Sequence, residues 1–263
     1  MAFVLLLDIG NTNIKIGLAD GGGLKNSFSL PASRDYTADY LGLLLLQILR
    51  RCSCEPDDIE AVLACSVVPG LDPPLRLACT DYLGHSLVLV PQDLSVPLEN
   101  CYAEPTQVGA DRLVGAYAAR ELFPAPASII CVDYGTATTF DCVEGRAYLG
   151  GLICPGVLSS ASVLSSRTAK LPAVSLETDD SFPLPGRSTS VSMNHGFIFG
   201  FAAMTEGLCA RLSKGLSQPC FVLATGGFAP ALSKVTSCFD VVRPDLLLEG
   251  LRLLYMHKRS LQG

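Results

Sequence analysis

The chain has 263 residues, 49% of them apolar and only 17% charged. This excludes a disordered chain and supplies material for one large domain or two small ones. Lys and Arg number 19 against 25 Asp and Glu, a formal net charge of −6. That balance argues against a nucleic-acid partner, which would call for a basic stripe. The run Phe3-Val4-Leu5-Leu6-Leu7 meets Asp8 too soon for a signal segment and has no basic residue before it. Leu41 to Leu49 is interrupted by Gln47 and closed by Arg50 and Arg51, short of the ~20 residues of a membrane span. A cytoplasmic chain with no membrane partner is expected. Its 11 cysteines are scattered, and Cys65, Cys131, Cys154, Cys209 and Cys220 sit in apolar runs, as reduced core thiols do. No C-x-x-C pair occurs and the three histidines lie far apart, so the spacing of a structural zinc site is missing.

In chain order, Phe3 to Ile9 reads as a buried strand. Asn13 to Ala19 pairs back on it and ends at the turn Asp20-Gly21-Gly22-Gly23. Tyr36 to Arg51 reads as a helix, Ile59 to Ser66 as a strand, Pro73 to Leu83 as a short helix and Leu87 to Pro91 as a strand. A helix runs from Gly109-Ala110-Asp111-Arg112 to about Phe123, where Pro124 and Pro126 break it. Strands follow at Ser128 to Val132, Phe140 to Val143 and Ala147 to Ile153. Ser181 to Ser190 reads as a loop, Gly196 to Leu216 as a long apolar helix, Phe221 to Ala224 as a strand and Leu246 to His257 as a closing helix. This alternation predicts an α/β fold. The boundary falls between an N-terminal part, 1–123, and a C-terminal part, 124–263.

The two parts resemble each other. Asp8-Ile9-Gly10-Asn11-Thr12 and Asp133-Tyr134-Gly135-Thr136 each follow an apolar strand, and Thr225-Gly226-Gly227 ends a third. Either turn alone is also what a tight β-turn with a solvated Asp looks like. Two in matched contexts point to phosphate. Gly10 and Gly135 permit close backbone approach, while Asn11, Thr12, Thr136, Thr138 and Thr139 offer neutral donors. Asp8 and Asp133 would repel phosphate unless a cation stands between. Neither G-x-x-x-x-G-K-[ST] nor a G-x-G-x-x-G after a strand is present.

Asp111 at a helix start has two explanations. It could cap the helix and meet the positive end of its dipole, with Arg112 paired to a surface carboxylate. It could instead be a general base that takes a hydroxyl proton during phosphate transfer, kept ionised by the helix start, with Arg112 holding substrate.

The segments Asp8-Ile9-Gly10-Asn11-Thr12-Asn13-Ile14-Lys15, Ser66-Val67-Val68-Pro69, Gly109-Ala110-Asp111-Arg112, Asp133-Tyr134-Gly135-Thr136-Ala137-Thr138, Gly150-Gly151-Leu152-Ile153-Cys154-Pro155-Gly156 and Thr225-Gly226-Gly227 occur in one order. In that order the chain resembles the type III pantothenate kinases from about residue 4 to residue 254. The resemblance implies the duplicated actin/hexokinase-like (ribonuclease H-like) fold, with two lobes and a nucleotide cleft between them. It implies transfer of the γ-phosphate of ATP to pantothenate, the first step of coenzyme A biosynthesis. Asp8, Ile9, Gly10, Asn11, Thr12, Asn13, Ile14 and Lys15 would bind ATP with Thr136. Asp111 would be the catalytic base. Tyr102, Gly109, Ala110, Asp111 and Arg112 would line the pantothenate site. Asp133 would hold a monovalent cation, potassium or ammonium, and magnesium would accompany ATP. Thr189 would reach pantothenate from the neighbouring subunit of a homodimer.

After Thr189 the chain departs from the family's usual Gln-Ser-Gly and reads Ser190-Val191-Ser192-Met193-Asn194-His195-Gly196. His195 there reads better as a structural residue near a helix start than as a special group. Two other functions fit the same fold: a non-enzymatic helper of transcription, and a kinase or phosphatase acting on a sugar or polyphosphate. Keeping Asp8, Asp111 and Asp133 together weighs against the first, and only the resemblance separates the second.

Overall fold

The computed structural model describes residues 2–167, 171–172, 175–177, 182–183 and 185–261. The first half runs β1 (Phe3–Ile9), β2 (Asn13–Asp20), β3 (Gly23–Pro31), α1 (Ala38–Arg51), β4 (Ile59–Ser66), α2 (Asp72–Leu83), β5 (Leu87–Val90), β6 (Glu99–Asn100) and α3 (Ala110–Leu122). The second runs β7 (Ser128–Tyr134), β8 (Ala137–Glu144), β9 (Ala147–Pro155), α4 (Val157–Ser166), α5 (Thr189–Ser213), β10 (Cys220–Gly226), α6 (Ala229–Leu232), β11 (Val241–Val242) and α7 (Leu246–Ser260). These elements form two units. One comprises Met1–Leu98, Thr106–Glu121 and Asp245–Gly263; the other comprises Glu99–Pro105 and Leu122–Pro244.

The first unit is built on a five-stranded sheet in the order β3-β2-β1-β4-β5. β1 is antiparallel to β2 and parallel to β4. Its residues alternate between two cores. Leu5, Leu7 and Ile9 cluster with Leu41, Leu45 and Leu49 of α1 and Leu75 of α2. Val4 and Leu6 cluster with Val114 and Tyr117 of α3 and with Leu248, Leu251 and Leu254 of α7. A strand covered on both faces needs an unbroken apolar run, which is why the chain opens Phe-Val-Leu-Leu-Leu. Asp8 takes the next position on the α3 side, at the strand's carboxyl end.

The second unit carries a six-stranded sheet, β11-β10-β7-β8-β9-β6. Without β6, its order and strand senses repeat those of the first: β9-β8-β7-β10-β11 matches β3-β2-β1-β4-β5. Ile130, Val132 and Tyr134 of β7 join Phe140 of β8, Val157 of α4, Ile198 and Ala202 of α5 and Leu232 of α6 in one core. Cys131 and Asp133 therefore point to the opposite face, in the phase that Leu6 and Asp8 have in β1. The duplication expected from the two Asp-x-Gly turns extends to the whole sheet.

The strands expected at Phe3 to Ile9 and Ile59 to Ser66 have those limits. β3, β6, α4, α6 and β11 were not expected. β3 reads Gly-Leu-Lys-Asn-Ser-Phe-Ser-Leu-Pro, the mostly exposed pattern of an edge strand. α5 starts at Thr189 instead of Gly196, because Ser188 caps it: its Oγ accepts from the Val191 N–H at 3.3 Å. Thr189 and Ser190 thus leave the loop expected over 181–190, of which residues 181 and 184 lie outside the described residues. The units also differ from a cut at 123/124. The C-terminal α7 belongs to the first unit, since its leucines complete the α3-side core. Residues 99–105 belong to the second, since β6 pairs with β9.

Gly250 marks where α7 meets α3 closely. A Cβ there would sit 2.8 Å from the Val114 carbonyl oxygen and 3.0 Å from the Ala118 Cβ. Gly250→Val is expected to destabilise the protein by about 1–3 kcal/mol through overpacking. Gly207, exposed in mid-helix with open space around it, should behave oppositely: Gly207→Ala should add up to about 1 kcal/mol. Urea unfolding midpoints of the two variants check both signs.

Candidate active site

The β1–β2 turn closes when the Gly10 N–H donates to the Asn13 carbonyl at 2.9 Å. A Cβ on Gly10 would lie 3.0 Å from that same oxygen, so the turn is as tight as glycine allows. Asn11, Thr12 and Asn13 are exposed at the tip. Ile9 and Ile14 are buried in the α1/α2 core, so they can offer a ligand only backbone. In the ladder Asp8 stands between Lys15 of β2 and Cys65 of β4.

Asp111 lies in the first turn of α3. Its Oδ1 accepts from the Arg112 N–H at 2.8 Å. A Cβ on Gly109 would come within 2.5 Å of that oxygen, so Gly109 leaves the room into which the carboxylate folds. Burial pushes the Asp111 carboxyl above the ordinary aspartate value, outweighing the hydrogen bond from the Arg112 N–H and the charge of its guanidinium. The helix start was expected to keep this acid readily ionised; desolvation wins instead. Ala110 and Arg112 are themselves buried. Cys65 reports the grouping: its buried thiol is pushed up chiefly by burial and then by the charges of Asp8, Asp111 and Asp72. Asp8 is the ladder partner of Cys65, and the charge of Asp111 reaches the same thiol. Asp72, at the start of α2, joins them with a buried Oδ1 that has no hydrogen-bond partner. Nothing in the sequence distinguishes it from a helix-start acid beside two prolines.

Asp133 belongs to the second unit, between Thr139 of β8 and Thr225 of β10 in the ladder. Gly226 has φ +88°, and a Cβ there would strike the Asp133 carboxylate and lie 2.6 Å from the Tyr134 carbonyl oxygen. Only glycine gives that carboxylate its place. The Thr225 Oγ1 is buried without a hydrogen-bond partner. The neighbouring turn is tied by the Gly135 N–H to the Ala137 carbonyl at 3.0 Å, leaving Gly135 and Thr136 exposed. Ser159 Oγ donates to the Thr136 carbonyl at 2.8 Å. A Cβ on Gly156 would collide with that carbonyl, so the turn is seated on the start of α4. Tyr102 follows β6, with its N–H donating to Asn100 Oδ1 at 3.1 Å. Thr189 is exposed in the first turn of α5. His195 is buried on α5 with its ring edge-on to Phe199 at 5.4 Å, a core position.

Among the described residues, no group of three or more His, Cys, Asp or Glu could hold a metal ion, and no helix is long and apolar enough to cross a membrane. Because folded Asp111 keeps its proton to a higher pH than an unfolded aspartate, the folded state binds more protons between the two pKa values. Stability therefore falls as pH rises through that interval. Asp111→Asn, which keeps an acceptor for the Arg112 N–H, is expected to raise Tm at neutral pH, with the gain vanishing in acid. Thermal unfolding of both proteins across pH checks this.

The chain matches the model of the type III pantothenate kinase family over residues 4–211. It is 60% identical over 254 residues to the type III pantothenate kinase of Nitratidesulfovibrio vulgaris (strain DSM 19637 / Miyazaki F), covering 97% of each chain. It also resembles the crystal structure of a Baf family transcriptional activator from Campylobacter jejuni, with TM-score 0.61 and 18% identity over 97% of this chain and 99% of that one. A protein named as a 2-dehydro-3-deoxygalactonokinase from Sinorhizobium meliloti gives 0.59 and 12%, over 97% and 96%. These distant structures speak to the fold alone, which is the duplicated α/β fold of the sugar-kinase and actin group. With the family model spanning most of the chain and a relative matched almost end to end, the chain belongs to the type III pantothenate kinase family.

Proposed function

We propose that this chain transfers the γ-phosphate of ATP to the terminal hydroxyl of pantothenate, giving 4'-phosphopantothenate in the first step of coenzyme A biosynthesis, in the cytosol. Beyond the family match, the observation that supports it is the half-buried Asp111 carboxylate at the start of α3, which desolvation holds above its ordinary value. Phosphoryl transfer asks a protein for positioning and charge neutralisation more than for covalent chemistry. An aspartate raised from its ordinary value is a better proton acceptor than an exposed one. Asp111 takes the proton of the acceptor hydroxyl. Gly109, Ala110, Arg112 and Tyr102 line the pantothenate site.

The β1–β2 turn, from Asp8 to Lys15, and Thr136 meet the phosphates of ATP through backbone N–H groups and hydroxyls. Asp8 would face the magnesium that accompanies ATP, which would supply charge neutralisation for the phosphates. Asp133 would hold the monovalent cation, potassium or ammonium. The donors there fit such an ion: a carboxylate cradled over Gly226, where a Cβ would intrude, and the unpartnered Thr225 hydroxyl in the next strand. Such a cation would supply positive charge beside the Asp133 turn. Thr189, exposed at the start of α5, reaches pantothenate in a second copy of the chain, so the working form is a homodimer.

ATP-dependent phosphorylation of pantothenate, with and without potassium and beside a panel of sugars, tests the reading. Turnover of pantothenate above every sugar is expected; none under any monovalent cation overturns it. Asp111→Asn should lower turnover by about 10²-fold or more while the protein stays folded. Asp133→Ala should weaken both potassium activation and the use of ATP, and unchanged activation would move the cation elsewhere. Solution mass should give a dimer, and a monomer active at high dilution would remove Thr189 from the site.

A further inference from the structure

Asp141 is a carboxylate in the middle of a buried strand, only 2% exposed. Its Oδ2 accepts from the Thr139 hydroxyl at 3.1 Å and its Oδ1 from the Tyr148 hydroxyl at 2.8 Å. Thr139 is the ladder partner of Asp133. Cys131, the ladder partner of Asp141, has its buried thiol pushed up by burial and then by both carboxylates, so the two acids share one face of the sheet.

Tyr148 reaches that face only because β9 is irregular. Cys142 pairs with Gly150, but the next residue, Val143, pairs with Tyr148, so Leu149 is an extra residue. In a regular ladder Leu149 would stand opposite Val143 and Tyr148 would point to the other side. A one-residue bulge re-aims the side chains that follow it. Gly150 supplies the required backbone, with φ +102°. The same glycine touches Tyr102: a Cβ there would lie 3.1 Å from the Tyr102 ring. The Tyr148 carbonyl accepts from the Cys101 N–H at 2.9 Å, fixing the residue before Tyr102. The bulge thus sets the aim of Tyr148 and the seat of Tyr102 together.

We propose that Asp141 and Tyr148 are positioning residues, which through the bulge at Leu149 and Gly150 tie the segment after β6 that bears Tyr102 to the Asp133 turn. The proposal rests on the reading above, in which Tyr102 lines the pantothenate site. A buried carboxylate gripping two hydroxyls is a stiffer brace than a neutral acceptor would be. Its effect reaches substrate through Tyr102.

The test is a double-mutant cycle on the full-length enzyme with Tyr148→Phe and Tyr102→Ala. Pantothenate binding is read by calorimetry, and KM is measured for pantothenate and for ATP. Tyr148→Phe keeps the ring and loses only the hydroxyl. It is expected to weaken pantothenate binding roughly tenfold, with a smaller change in KM for ATP. The double variant should be no worse than Tyr102→Ala alone, since both act through one side chain. Asp141→Asn, which keeps one acceptor oxygen, should fall between wild type and Tyr148→Phe, and it serves if Tyr148→Phe folds poorly. Additive losses, or normal pantothenate binding by Tyr148→Phe, would overturn the brace. Normal binding by Tyr102→Ala would remove Tyr102 from the substrate site and the brace with it. A defect in Tyr102→Ala beside a normal Tyr148→Phe sinks the brace alone.

Discussion

A strand buried on both faces can carry a carboxylate only where it emerges or where hydrogen bonds satisfy it, and this constraint organises the molecule. β1 spends Phe3 to Leu7 filling two cores, so its carboxylate waits until Asp8. β7 repeats the arrangement and reaches Asp133 in the same phase. In open α/β sheets the carboxyl ends of strands are where ligands bind, because loops there are free of the packing that fixes the strands. Both Asp-x-Gly turns lie at such ends, and each is tightened by a glycine whose N–H bonds a carbonyl a few residues on. Sheet and site are therefore one construction: the register that buries the leucines also fixes which face the acids occupy.

Much of this could be read from the chain because the signals were local. The apolar runs gave β1 and β4 their limits, and the matched Asp-x-Gly turns anticipated a duplication that extends through five strands. What escaped was set by tertiary partners. β3 is a polar edge strand whose main reason to be extended is the hydrogen bonding of β2. α7 looks like any amphipathic helix, and only the α3-side core shows that it belongs with residues far earlier in the chain. The Asp141–Tyr148 bond depends on a one-residue register shift that no periodicity announces. A trace was there all the same: an aspartate between Phe140 and Cys142 in a strand otherwise fit for a core, which a buried sheet keeps only when hydrogen bonds satisfy it.

The site also shows burial and helix polarity competing over one carboxylate. A helix start alone would favour the ionised form of Asp111, as would the N–H and guanidinium of Arg112. Burial beside Gly109 removes water from the carboxylate, and that cost is larger. The outcome is an acid held less comfortably charged than the unfolded chain would hold it, which lowers stability at neutral pH and raises affinity for a proton. Both follow from the same desolvation, so an evolutionary change that relaxed one would relax the other. The glycine preceding α3 shows how narrow the arrangement is. Even a methyl group at 109 would press on the carboxylate oxygen. The position that fixes this acid's electrostatics is therefore one whose contribution is to have no side chain at all.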